Sequence, residues 1–152
     1  MTVDELAEEL APLALKRFNE TIALRLGALL VAIAEAEKMP VVINIRSANR
    51  TFFHAALPGS TAVNDNWARR KSNTALYTGQ ASMIVTLRFQ ASGRTLAIEG
   101  LSSADYAESG GAVPLVVDGT GPVAVCTVSG LTQEADHALV VRGLRALRAE
   151  LA

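Results

Sequence analysis

The sequence predicts an α+β protein, an antiparallel sheet covered by helices, and two features carry that class. Val41 to Ile45 and Arg50 to Leu57 form one pair of apolar runs, and Val113 to Val117 and Val123 to Ser129 form another. Each pair is joined by only a few turn residues, and strands joined so closely pair antiparallel. Segments with helical spacing stand before, between and after these pairs. The predicted order is helix, two strands, two helices, two or three strands, helix.

The first element spans Asp4 to Lys38, with Pro12 read as a first-turn residue of a longer second helix. Leu15, Phe18, Ile22, Leu26, Leu29, Leu30 and Ile33 recur at helical spacing, and Met39-Pro40 closes the run because the residue before proline avoids the α region. Arg46 to Asn49 turns the first strand pair, and Pro58-Gly59-Ser60 ends it. The next helix is expected to start near Asn64-Asp65, which are good caps, and to run to about Thr78. Ala81 to Ala91 can be read two ways. Met83, Val85, Leu87 and Phe89 alternate as in a strand, but Ser82 as a cap and Gly93 as a stop favour helix. Thr95 to Ile98 reads as a short extended piece, and Ser102 to Ser109 as a helical turn. Asp118 to Pro122 turns the second strand pair. The last helix runs from Thr132 to Leu151, with Glu134 and Asp136 near its positive end and Arg142, Arg145 and Arg148 towards its far end.

The length of 152 residues suits one domain, 1-152, in which 1-12 is a peripheral segment. Half the residues are hydrophobic but only 5% aromatic, so the core is built from Ala, Val, Leu and Ile. That usage also suits buried subunit contacts. A net charge of -1 argues against nucleic acid and anionic membrane as partners. The longest apolar run, Leu26 to Ala34, falls well short of the roughly 18 to 20 residues that span a bilayer. The acidic start MTVDELAEELAP lacks a secretory n-region, and the lone Cys126 fits a reducing compartment, so a cytoplasmic location is expected.

The chemistry-bearing residues concentrate in FHAALPGSTAVNDNWARRKSN, residues 53–73. Trp67, Arg70, Lys71 and Thr74 share a helix face, where an aromatic ring beside two cations can hold a planar anion. The plainer alternative is a solvated cationic face with Trp67 half buried on the sheet. His54 sits in the strand that leads into this helix, whose start carries Asn64 and Asp65. His137 and Asp136 are the other candidates for an acid–base set, although a structural role suits either histidine. No HxH, HExxH or CxxC spacing is present, so no metal site is expected. Gly110-Gly111 is a turn into a strand rather than a GxGxxG loop. Ser129-Gly130 precedes a helix N-terminus that can receive a carboxylate, but it lacks the flanking glycines of a nucleophile elbow.

The segments WARRKSNTAL, GGAVPLVV and VAVCTVSGLTQEADHALVVRGL resemble the haem-degrading-domain family of GlcG/HbpS-like proteins. LKRFNE, FFHAALPGST, NDNWARRK, YAESGGAVP and SGLTQEADH resemble its short cytosolic branch in particular, and the likeness runs from Leu15 to Leu147. The resemblance implies a profilin-like α-β-α sandwich around a central antiparallel sheet of about five strands, with assembly into homo-oligomers. It also implies haem binding or slow haem breakdown, with haem the one named cofactor. Lys71 matches the family's lysine helix. Gly110, Gly111 and Pro114 match its glycine turn, Ser129 and Gly130 its Ser-Gly motif, and Asp136 its acidic position. The resulting expectation is an oligomeric binding protein for a small anionic ligand, with Arg70 and Lys71 supplying charge and Trp67 and His54 supplying stacking or ligation. An enzyme acting on a small polar metabolite, or a non-catalytic scaffold, stands as the alternative.

Overall fold

A computed structural model describes residues 1–152. Its helices are α1 (Val3–Leu10), α2 (Glu20–Ala36), α3 (Ala62–Thr78), α4 (Ser82–Ser92) and α5 (Gln133–Leu151). The strands are β1 (Val42–Arg46), β2 (Thr51–Ala56), β3 (Ala112–Val117) and β4 (Gly121–Ser129). They form one antiparallel sheet in the order β2-β1-β4-β3, so the two hairpins meet along β1 and β4.

Strand alternation decides which residues meet which layer. On one face Ile43, Ile45, Val113, Leu115, Ala124, Cys126 and Val128 join Ile22, Leu26 and Leu30 of α2 and Leu139, Val140, Leu144 and Leu147 of α5 in the main core. On the other face Ala112 and Val125 pack on Ala75 of α3. The result is the expected α-β-α sandwich. At the β3 edge, Leu6 of α1 packs with Ala81, Met83 and Ile84 at the start of α4. Two glycines set the closeness of α2 to its neighbours: a Cβ on Gly27 would fall 2.5 Å from the Phe53 ring, and one on Gly143 would fall 2.4 Å from Leu30.

Four strands are present rather than five. Residues 95–101 curl into turns instead of an extended piece, because their amides are satisfied locally. Gly100 donates to Ala97, Leu101 to Leu96, and Leu96 to the Glu108 carboxylate. The helical reading of Ala81 to Ala91 holds, with Gly93 as the left-handed C-cap, although Ala81 rather than Ser82 is the N-cap. The expected 102–109 turn shrinks to a single turn closed by Tyr106 donating to Ser102.

Two helix starts also differ. Pro12 sits in a 3-10 turn, Ala11–Leu13, and does not open α2. Leu15, only 1% exposed, instead runs beside β3, exchanging backbone hydrogen bonds with Val116 and Asp118. Burying Leu15 on the sheet edge outweighs extending the helix, and α2 begins only after Asn19, whose side chain accepts from the Ile22 amide. For α3 the cap is Thr61, three residues before the expected Asn64. Asn64 closes a reciprocal box by accepting from the Thr61 amide.

Candidate functional site

Helix α3 carries most of the candidate residues, and its three-sided environment sends them in different directions. Lys71 turns inward to the sheet and α5. Trp67 and Arg70 turn to the 94–109 loop. Asp65 faces the β1–β2 end of the sheet, and Arg69 lines the same cleft while its guanidinium reaches Asp105 and the Ala104 carbonyl of the loop. The predicted single cleft is therefore divided, with α3 as the ridge between its parts.

Lys71 is 1% exposed, and its ammonium has three N–H donors, all of them used. It donates to the Gly110 carbonyl at 3.0 Å, the Val128 carbonyl at 2.7 Å and the Asp136 carboxylate at 3.0 Å. Burial pushes the Lys71 ammonium below the usual lysine range, while the adjacent Asp136 carboxylate works against that shift. The second carboxylate oxygen of Asp136 accepts from the Leu131 amide at 2.9 Å, which ties the pair to the β4–α5 turn. Gly111, at φ +130°, is needed here: a Cβ would stand 2.5 Å from both Lys71 Nζ and the Val128 carbonyl. Gly130, at φ +144°, is likewise pressed against the Pro40 carbonyl. Of the residues matched by the family resemblance, Gly110, Gly111, Ser129, Gly130 and Asp136 gather around Lys71, whereas Pro114 lies further along β3 in a different pocket with Leu10 and Ile84. A recess of about 270 Å³ lies beside them, with Asn64 and Trp67 on its walls. The expectation that Lys71 offers its charge to a ligand does not match this geometry, because every donor is already spent inside the protein.

Trp67 and Arg70 form a second arrangement. The Arg70 guanidinium carbon lies 4.5 Å from the Trp67 ring centroid, a cation–π stack, and its Nε donates to the Ser103 carbonyl at 2.9 Å. The two terminal nitrogens of Arg70 make no hydrogen bond within the chain, and Trp67 stays 40% exposed. These two side chains wall a recess of about 560 Å³ opposite Leu96, Leu101 and Tyr106. Tyr106 is held edge-on by Tyr77 at 6.1 Å, and its hydroxyl is likewise without a partner.

The two histidines are far from sharing a site. His54 on β2 lies 3.1 Å from Asp65 of α3 through Nε2. His137 on α5 is 4% exposed and meets Glu9 of α1 at 2.9 Å, where it ties α1 to the body of the fold. An acid–base set containing both histidines is thus ruled out by their placement on opposite layers. Sequence reading also passed over Asn44, Arg46 and Arg69, which share the His54 cleft. Strand parity held the signal: Asn44 and Arg46 are two apart on β1 and so face the same side as His54, which pairs with Asn44 across the hairpin. Cys126 is fully buried, and burial raises its thiol well above the usual range, consistent with inert core.

Comparison with known proteins agrees with this architecture. The chain is 44% identical over 144 residues to a UPF0303 protein of Streptomyces coelicolor, covering 94% of this chain and 91% of that one. It is also 44% identical over 127 residues to a UPF0303 protein of Rhizobium rhizogenes, covering 84% and 78% of the two chains. Among solved structures, the Ybr137w protein superposes with a TM-score of 0.89 at 30% identity, covering 100% of this chain and 91% of that one. A PduOC:heme complex superposes with a TM-score of 0.74 at 21% identity, covering 85% and 94%, a likeness of fold. Residues 18–145 match the family model described as haem degrading protein HbpS-like, and with the lysine helix, glycine turn and Ser-Gly motif converging as they do, the chain belongs to that family.

Proposed function

We propose that this protein is a cytoplasmic, homo-oligomeric binding protein for a flat, carboxylate-bearing small molecule of the haem class, held in the recess between α3 and the 94–109 loop. The observation that carries this reading is the Trp67–Arg70 stack. It presents an exposed aromatic face and two unsatisfied guanidinium nitrogens to one recess of about 560 Å³. A flat conjugated ring stacks on indole, and a peripheral carboxylate takes the fork of a guanidinium.

The residues present fit haem. Leu96, Leu101 and Ala107 give the recess apolar lining, Arg70 suits a propionate, and Tyr106 supplies an oxygen donor of the kind that ligates haem iron in some proteins. Bound haem would supply redox chemistry, whereas this chain's residues supply stacking, charge and orientation. The family membership and the haem-complexed structural neighbour support the same ligand class. Lys71 and Asp136 act behind the recess, holding the Gly110-Gly111 turn that follows the loop.

Titration with hemin tests this. Wild-type protein is expected to give a saturable Soret shift at micromolar hemin. Arg70→Gln should weaken binding about tenfold through loss of a charge-assisted contact. Tyr106→Phe should change the position of the Soret band as well as affinity. If wild-type protein shows no Soret shift, haem is removed as the ligand.

A further inference from the structure

A second cleft lies on the opposite flank of α3, between that helix and the β1–β2 hairpin. It has a volume of about 430 Å³, and eight of its nine lining residues are polar. Such a lining offers nothing to a porphyrin ring.

The cleft is built around an unneutralised cation. Arg46 ends β1 at a register shift in the β1–β2 pairing, and such irregularities re-aim side chains. Its guanidinium is held by neutral acceptors only: Ser72 Oγ, Asn73 Oδ1 at 3.0 Å and the Ser47 carbonyl at 3.3 Å. No carboxylate pairs with it, and two of its five N–H donors have no acceptor. A second guanidinium, Arg69, lines the same cleft, although its own charge is paired outward with Asp105 at 3.0 Å. Burial lowers the Arg46 pKa, and the neighbouring Arg69 charge adds to that shift. The second of these causes reflects two guanidinium groups facing one cleft.

The other end of the cleft has the opposite character. Asp65 stands one helical turn before Arg69 on α3, about 6 Å along the axis. The carboxylate uses one oxygen to hold His54 Nε2 at 3.1 Å. Asn44 Nδ2 lies 3.1 Å from His54 Nδ1; with that amide nitrogen donating, a neutral imidazole carries its proton on Nε2, facing Asp65. His54 is thereby fixed on both sides and holds Asp65 in place. The second oxygen of Asp65 has no hydrogen-bond partner. Asn44 Oδ1, buried beside this relay, has none either.

We infer that this cleft is a separate binding site for a small carboxylate bearing a hydroxyl or ammonium group, with Arg46 reading the carboxylate and Asp65 the donor group. A charge-deficient guanidinium at one end and an oriented carboxylate at the other match a ligand that is acceptor at one end and donor at the other. A simple carboxylate satisfies only half of the site. The site is distinct from the Trp67 recess, since the two lie on opposite flanks of α3 and share no lining residue.

L-alanine, L-lactate and propionate share one skeleton and differ only at the group that Asp65 would read. Each is titrated into ¹⁵N-labelled full-length protein over the millimolar range and followed by amide and guanidinium shifts. Alanine or lactate is expected to give saturable shifts centred on the cleft, with propionate at least about tenfold weaker. Arg46→Gln should abolish binding of all three. Asp65→Asn should bring the preferred ligand's affinity down towards that of propionate, and it decides the matter should Arg46→Gln fail to give a folded spectrum. Absence of saturable shifts with all three, unchanged binding in Arg46→Gln, or propionate binding as well as the others would overturn the proposal. Hemin affinity is expected to be unaltered in Arg46→Gln, which separates failure here from failure of the haem-class reading.

Discussion

Lys71 and Arg70 are adjacent cations with opposite fates, and the difference follows from one step of helical rotation. A step of about 100° turns Lys71 onto the sheet while Arg70 stays at the rim over Trp67. The buried lysine must then find acceptors for all of its donors, and Gly110, Val128 and Asp136 provide them. Removing only one partner of such a pair strands the other charge in a dry interior. Lys71→Met is therefore expected to cost about 3–5 kcal/mol in urea denaturation. The double variant Lys71→Met/Asp136→Leu should recover much of that loss, because it removes both charges. A ligand-contacting lysine would behave otherwise, with affinity lost and stability kept.

Among the elements, α3 is the one shared by both proposed sites, since its two flanks form walls of the Trp67 recess and of the polar cleft. Its start is set by Thr61, whose hydroxyl accepts from the Val63 amide while Asn64 accepts from the Thr61 amide. Thr61→Ala should lower stability by about 1 kcal/mol, read from chemical denaturation. The change should also loosen Asp65, which lies in the first turn, more than Arg70 and Lys71 further along. Beyond α3, the 94–109 loop folds back on it through side-chain hydrogen bonds. Arg69 reaches Asp105 and the Ala104 carbonyl, and Asn73 donates to the Asp105 carbonyl at 2.7 Å. The outer wall of the haem-class recess is thus a loop pinned by the helix it faces.

At the scale of the whole molecule, no helix is long and apolar enough to cross a membrane. Several large apolar side chains nevertheless remain exposed, among them Leu24 at 56%, Val63 at 64% and Ile98 at 58%. The homo-oligomer proposed above would cover some of them. The homo-oligomer reading predicts a sedimentation-equilibrium mass that is a multiple of 16.0 kDa, and a mass equal to the single chain would refute it.

The sequence by itself determined the class of fold, both hairpins and the family, because these rest on local periodicity, on turn residues and on motif strings, whereas it left Ala81 to Ala91 open between strand and helix and only favoured helix. It also concentrated the candidate side chains on α3. What it could not determine was which of that helix's neighbours each side chain would meet. Leu15 joined the edge of β3 rather than a helix, residues 95–101 made turns rather than a fifth strand, and His137 went to Glu9 rather than towards His54. Lys71 spent its charge on carbonyls contributed by β4 and the turn before β3, 57 and 39 residues away in the chain. Those outcomes depend on burial and on acceptors supplied by distant segments. Only the tertiary structure brings them together, and with them it divides one predicted cleft into a buried ion pair with a small recess beside it and two further clefts.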